Sequence, residues 1–448
     1  MNKNISKSKL ALAILSLIIT FFVWQQGLKE SLDRPSVTYD LVQREKEISY
    51  LAQKVVPDNL TQFFSQDNTD LDMQEFLEES SLAEANDRNK VIMALIKDEN
   101  NYFENIELND DKYMDLLETI KKQKLESSLK LSKEFFHNFQ NDKYIYHLIA
   151  NKFNFDDSDV ITNQFSRNMF MRIITIKLIP LITIIMGTTL VLKYIFKAIK
   201  SRTINWKPFD ALELNAIDMV LLISGGFVVL GEVISPVFSM TLVDLLTKDL
   251  SFEIAQSLRI FAGYLFMALP PLIIIFYQIK SQYKTFTFKE DYLQFNYKPL
   301  TGSFADGFKG FLMIIPFVLL TSLLMDSLVQ NEGGSNPLLE IVLNNNNYFA
   351  FILLFITTTI LAPFFEEIVF RGVLLPILSR DFGIIVGVLT SSLVFAIAHL
   401  SIGELPALFI LGIGLATTRL ISGRLTSSII MHSLWNGLTF LNLFLLRT

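Results

Sequence analysis

Three short polar patterns interrupt the apolar C-terminal part of the chain: Glu366 and Glu367 with Arg371, then His399, then His432 with Asn436. Glu367 and Arg371 stand at i and i+4 with the acid first, the better order for an ion pair on one helix face. That pairing turns Glu366, about 100° further round the helix, toward a different neighbour. His432 and Asn436 repeat the spacing and present an imidazole beside a carboxamide. A carboxylate with two imidazoles supports either a general base that activates water or a zinc site made of Glu366, His399 and His432. An adjacent asparagine amide or imidazolium can hold the oxyanion of a tetrahedral intermediate. Together these parts suit hydrolysis of a peptide bond.

Each residue also has a structural reading. A Glu-Arg pair can staple a helix, a lone histidine can donate between helices, and a proton-coupled transporter uses the same residue types. The joint occurrence of the three patterns, in order and on separate segments, favours an enzyme. Trp435 and Phe395 read as packing residues.

The segments that must position these groups are membrane spans. Of 448 residues, 51% are hydrophobic and 19% charged, and the mean hydropathy is +0.38, which points away from a soluble globular protein. Apolar runs long enough to cross about 30 Å of hydrocarbon occupy Leu10–Trp24, Ile173–Phe196, Ile217–Ile234, Ile260–Tyr277, Gly310–Leu328, Tyr348–Leu378, Gly383–Leu400, Leu405–Ile421 and Ser427–Leu446, nine in all. Counting from a turn at Asp381 places Glu366 and His399 about 22 and 27 Å along antiparallel neighbours, at similar depth. No internal repeat or matched pair of broken helices suggests a transporter.

The net charge of −6 divides unevenly. Leu28 to Asn168 holds 28 acidic and 17 basic residues, a net of −11, while the rest nets +5. Lys193, Lys197, Lys200, Arg202 and Lys207 follow the second span, Lys280, Lys284, Lys289 and Lys298 the fourth, Arg380 the sixth, and Arg419 and Arg424 mark the end of the eighth. The positive-inside rule places these in the cytoplasm, with the acidic insert and the Asn331–Asn347 linker outside. Lys3, Lys7 and Lys9 ahead of a first span without a small-x-small cleavage site predict an uncleaved anchor with a cytoplasmic N-terminus. The insert reads as helical, from 3.6-residue patches such as Val91, Leu95 and Leu116, Leu117, Ile120. It carries no catalytic spacing, His137 and His147 read as ordinary surface or packing residues, and its acidity argues against nucleic acid. Zero cysteines exclude disulfides, cysteine metal sites and thiol catalysis.

The arrangement Ala362-Pro363-x-x-Glu366-Glu367-x-x-x-Arg371-Gly372, then Phe395-x-x-x-His399, then His432-x-x-x-Asn436 resembles the CPBP (Abi, or CAAX protease and bacteriocin-processing) family of intramembrane proteases, relatives of the type II CAAX prenyl endopeptidases. The likeness covers Gly310 to Leu446. It implies an eight-helix core, with Glu366 and His399 activating water, His432 and Asn436 stabilising the oxyanion, and Glu367 and Arg371 bracing the site. It leaves zinc and metal-free mechanisms both open.

The expected fold is therefore an all-α polytopic membrane helix bundle: an eight-helix protease core plus one anchor helix, with a helical extramembrane domain inserted after the first span. Its parts are an anchor (1–27), an acidic extracytoplasmic domain (28–168), accessory transmembrane helices (169–309) and the Abi/CAAX-protease-like catalytic domain (310–448). The expected function is an intramembrane endopeptidase acting on a membrane-associated or lipidated peptide or protein; the alternative is a non-catalytic scaffold acting through its N-terminal domain. Membrane lipid, a peptide substrate and a protein partner for residues 28–168 are the expected partners. The expected location is a bacterial-type inner membrane or a thylakoid.

Overall fold

The computed structural model describes residues 6–34, 37–57, 69–79, 86–97, 108–125, 139–153, 156–201, 206–207, 211–282, 293–296, 298–328, 341–343 and 347–447. Lys3, His137, Arg202, Lys284, Lys289 and most of the asparagine-rich linker lie outside the described residues. Every regular element among the described residues is helical, and eight helices are long and apolar enough to cross a membrane.

The chain divides into two compact units. Residues 37–179, with 445–448, form one. Within it α2 (Val37–Ala52) packs on α3 (Thr69–Glu79) and α6 (Lys143–Phe153), and α4 (Asp87–Lys97) packs on α3, α5 (Asp111–Leu125) and α6. Helical spacing delivers Ile48, Leu77, Ile92, Leu116 and Ile149 to a core with no exposure. At its edge Glu47, 1% exposed, takes both Arg88 Nη1 (2.7 Å) and Nη2 (3.0 Å), and Asp142 takes Arg88 Nε (2.6 Å). Burial opposes the Arg88 charge, but Glu47 and Asp142 outweigh it and hold its pKa well above the usual arginine value. His147, read from sequence as lacking a carboxylate, pairs with Asp157 and meets the Tyr50 ring edge-on. The two partners are ten and 97 residues away, so helical spacing did not reveal them.

Residues 1–36 and 180–444 form the other unit. After α1 (Lys7–Leu32) and α7 (Asn163–Ser201) come α8 (Ala216–Leu246), α9 (Phe252–Gln282), α10 (Leu300–Leu328), α11 (Tyr348–Phe382), α12 (Ile384–Ile397), α13 (Leu405–Ser422) and α14 (Leu425–Leu445). α1 runs past the anticipated limit at residue 27, because Gly27 is a close-approach site rather than a stop. A Cβ there would lie 2.8 Å from Leu400 Cδ1. The seventh expected span is helical only over Ile384–Ile397, about 21 Å and short of a full crossing. It stops in a turn, with Leu400 at φ +49°. Arg419, counted above as a loop charge, is 1% exposed and donates to Gln294 Oε1 at 2.8 Å.

Two of these helices widen into π turns, at Leu221–Ile234 in α8 and at Thr357–Leu361 and Ile368–Leu374 in α11. Each π stretch ends two residues before a proline: Pro236, Pro363 and Pro376. Proline lacks an N–H and its ring crowds the carbonyl four residues back, so the preceding turn opens to i→i−5 bonding. All the polar groups of the site in α8 and α11 lie in or next to these widened turns.

Candidate active site

Glu366 and Glu367 sit in the short α stretch between the two π turns of α11, and Arg371 in the second of them. Glu367 and Arg371 are fully buried and paired, Nη1 to Oε1 at 2.8 Å, as the i, i+4 spacing predicts. The same Oε1 accepts from His432 Nδ1 at 3.0 Å, and Oε2 accepts from the Ser428 hydroxyl. Arg371 also donates to Gly412 O (3.3 Å), with its guanidinium carbon 4.2 Å from the Phe395 ring centroid. Glu367 is thus committed on both oxygens, and its acceptance from Nδ1 leaves Nε2 of His432 pointing onward.

That Nε2 stands 3.9 Å from Glu366 Oε2. Glu366 Oε1 accepts from the Tyr264 hydroxyl, whereas Oε2 is buried without a hydrogen-bond partner. A buried carboxylate oxygen with no donor is costly, so Oε2 is the acceptor here that a water or ligand donor would satisfy.

His399 lies just beyond the end of α12. Its backbone N–H bonds Ala396 O (3.3 Å), one residue tighter than α-helical, which frees Phe395 O. Nδ1 fills that vacancy at 2.8 Å. A carbonyl only accepts, so Nδ1 carries the proton and Nε2 offers its lone pair. The turn is gripped from α1: Arg34 Nη2 donates to Leu400 O at 2.7 Å and Ser31 Oγ accepts from Ile402 N–H at 3.1 Å.

Asn436 donates from Nδ2 to Thr358 O at 2.9 Å. Glu366, His399, His432 and Asn436 line one cavity of about 440 Å³, while Glu367 and Arg371 stand behind its wall. Among the described residues, no three His, Asp or Glu side chains converge closely enough to enclose a metal ion. Glu366, His399 and His432 as placed do not form such a set.

Among the cavity residues that motif reading missed are Tyr264, Thr358, Glu232 and Glu404. Glu232 did carry a signal, being an acid deep inside the apolar run Ile217–Ile234, whose other acid, Asp218, sits at its start. Tyr264 carried none, since its partner is 102 residues away.

Residues 348–438 match the type II CAAX prenyl endopeptidase Rce1-like family. The matched segment contains every residue of the three polar patterns, and it supports the family resemblance drawn from them. Residues 38–171 match DUF8675, a domain of unknown function. Comparisons with curated proteins and with solved structures each gave no match. The all-α architecture and the eight apolar helices describe an integral membrane protein, within which residues 348–438 are similar to the type II CAAX prenyl endopeptidase Rce1-like family.

Proposed function

We propose that this protein is an intramembrane endopeptidase that hydrolyses a peptide bond of a membrane-associated or lipidated substrate. The observation carrying this reading is the unpartnered Glu366 Oε2 facing His432 Nε2 across 3.9 Å in a shared cavity. One water oxygen placed about 2.8 Å from each satisfies both.

Glu366 takes a proton from that water while His399 Nε2 accepts its other hydrogen, and the oxygen adds to the carbonyl carbon. With Arg371 charged and both carboxylates ionised, a protonated His432 makes the cluster neutral. Its Nε2–H then faces the oxyanion together with the second Asn436 amide hydrogen. The intermediate collapses as the C–N bond breaks, and Glu366 returns its proton to the leaving nitrogen. Glu367 acts by holding His432, and Arg371 by holding Glu367.

Glu366→Gln and His399→Ala, purified and reconstituted, are expected to lose cleavage by about 10²–10⁴-fold while keeping near wild-type thermal stability. Full activity in either overturns the reading. A metal-free sample, checked by zinc analysis and chelation, is expected to stay active. Loss of activity restored by zinc would instead make Glu366, His399 and His432 ligands. The orientation supported by the loop charges puts residues 28–168 outside the cytoplasm. The cysteine-free chain makes this testable, since a single cysteine at Glu118 should react with an impermeant maleimide on intact cells and one at Lys298 should not.

A further inference from the structure

Glu232 lies in the π turn of α8 and faces the same cavity as Glu366. Trp24 Nε1, from α1, donates to its Oε2 at 3.2 Å. Oε1 has no hydrogen bond, and no lysine, arginine or histidine pairs with Glu232 among the described residues. The cavity wall contains three glutamates, Glu232, Glu366 and Glu404, and no lysine or arginine.

Glu366 has a role in the reaction, and Glu367 has Arg371. Glu232 has only an indole N–H, which orients the carboxylate without neutralising it. An acidic side chain within a membrane-spanning helix persists where it pairs or works. Beside the imidazoles of His399 and His432, the charged side chains of the wall are all carboxylates, and an acidic, low-dielectric cavity concentrates positive charge. The widened turn helps, because it changes the direction in which residue 232 leaves the helix, and functional groups often sit at such turns.

We propose that Glu232 is a cation subsite of this cavity, binding the ammonium or guanidinium of a basic side chain next to the scissile bond. This rests on the hydrolase reading and adds a substrate class to it: an apolar or acylated peptide with a lysine or arginine near the cleaved bond. Trp24 holds the carboxylate in place, so the anchor helix contributes to specificity.

The test uses the full-length protein in nanodiscs with two photoreactive probes, dodecanoyl-Phe-Lys-amide and its norleucine counterpart, each carrying a diazirine. The probes have similar side-chain length and differ in charge. Wild type is expected to cross-link the lysine probe at least tenfold more than the norleucine probe. In Glu232→Gln the ratio is expected to fall close to one, and in Glu366→Gln to stay several-fold. Equal labelling by the two probes in wild type overturns the proposal without reference to any variant. So does a ratio that survives Glu232→Gln or is lost only in Glu366→Gln. Binding selectivity is read independently of cleavage. Selectivity without hydrolysis would keep the subsite and remove the protease reading; hydrolysis without selectivity would do the reverse.

Discussion

Asn436 satisfies a backbone carbonyl, Thr358 O, that Pro363 leaves without a helical partner. In the π turn the Ala362 N–H bonds Thr357 O, and residue 363 has no N–H to offer. The Asn436 amide fills the gap at 2.9 Å. One side chain therefore seals the helix that carries Glu366 while its remaining amide hydrogen is available to the cavity.

The two roles of Asn436 separate by mutation. Asn436→Ala should lower stability by about 1–3 kcal/mol, the cost of a buried unsatisfied acceptor, and also reduce kcat. Adding Pro363→Ala restores an N–H at 363 and should recover much of the thermal stability but not kcat. Recovery of both would show that Asn436 is structural only.

Removing one member of the buried ion pair should be more damaging than removing both. Arg371→Ala leaves Glu367 at zero exposure with only His432 and Ser428 as partners, with an expected loss of about 3–5 kcal/mol. Glu367→Gln combined with Arg371→Met should be more stable than Arg371→Ala in thermal unfolding, yet impaired in kcat because His432 loses its anchor. A double variant less stable than the single would contradict this account.

α1 should govern the His399 turn. Arg34→Ala removes the donor to Leu400 O, a bond worth about 1 kcal/mol at a half-exposed position. Amide exchange at residues 399–402 should accelerate and kcat fall several-fold with KM little changed, with partial rescue by Arg34→Lys. Unchanged exchange in this turn would remove α1 from the positioning of His399.

Acid should loosen the 37–179 unit at one defined place. Asp87 Oδ2 accepts from the backbone N–H groups of Asn109 (2.7 Å) and Asp110 (2.8 Å). The Asn109 N–H, aided by that of Asp110, outweighs burial and holds the Asp87 pKa below the usual aspartate value. A depressed native pKa stabilises the fold above the unfolded-chain value of about 3.9, and that contribution disappears as pH falls through the native value. Exchange at Asn109 and Asp110 should rise below about pH 4 in wild type, and Asp87→Asn should show no such step.

Much of this molecule is written locally. Apolar runs located the helices, since hydrocarbon length and helical rise leave little choice; from α11 onward the ends agree to within a few residues, whereas α1 and α7 to α10 run eight to twelve residues past the apolar stretch at one end. The Glu367–Arg371 pair followed from i, i+4 spacing, and the prolines at 236, 363 and 376 carried an unread signal for the widened turns. These are short-range effects, and the order of residues alone determines them. What only the tertiary structure decided are the closures between distant segments: Tyr264 on Glu366, His432 between two glutamates, Asn436 on Thr358 and Arg34 on the turn after His399. The shortening of α12 belongs with them. Nothing in the apolar run Gly383–Leu400 ends a helix at Ile397, but the turn there is held by partners from α1 and by an imidazole bonded to its own freed carbonyl. Periodicity states which face of a helix is polar; the packing of other helices decides which groups meet there, and so where the chemistry can occur.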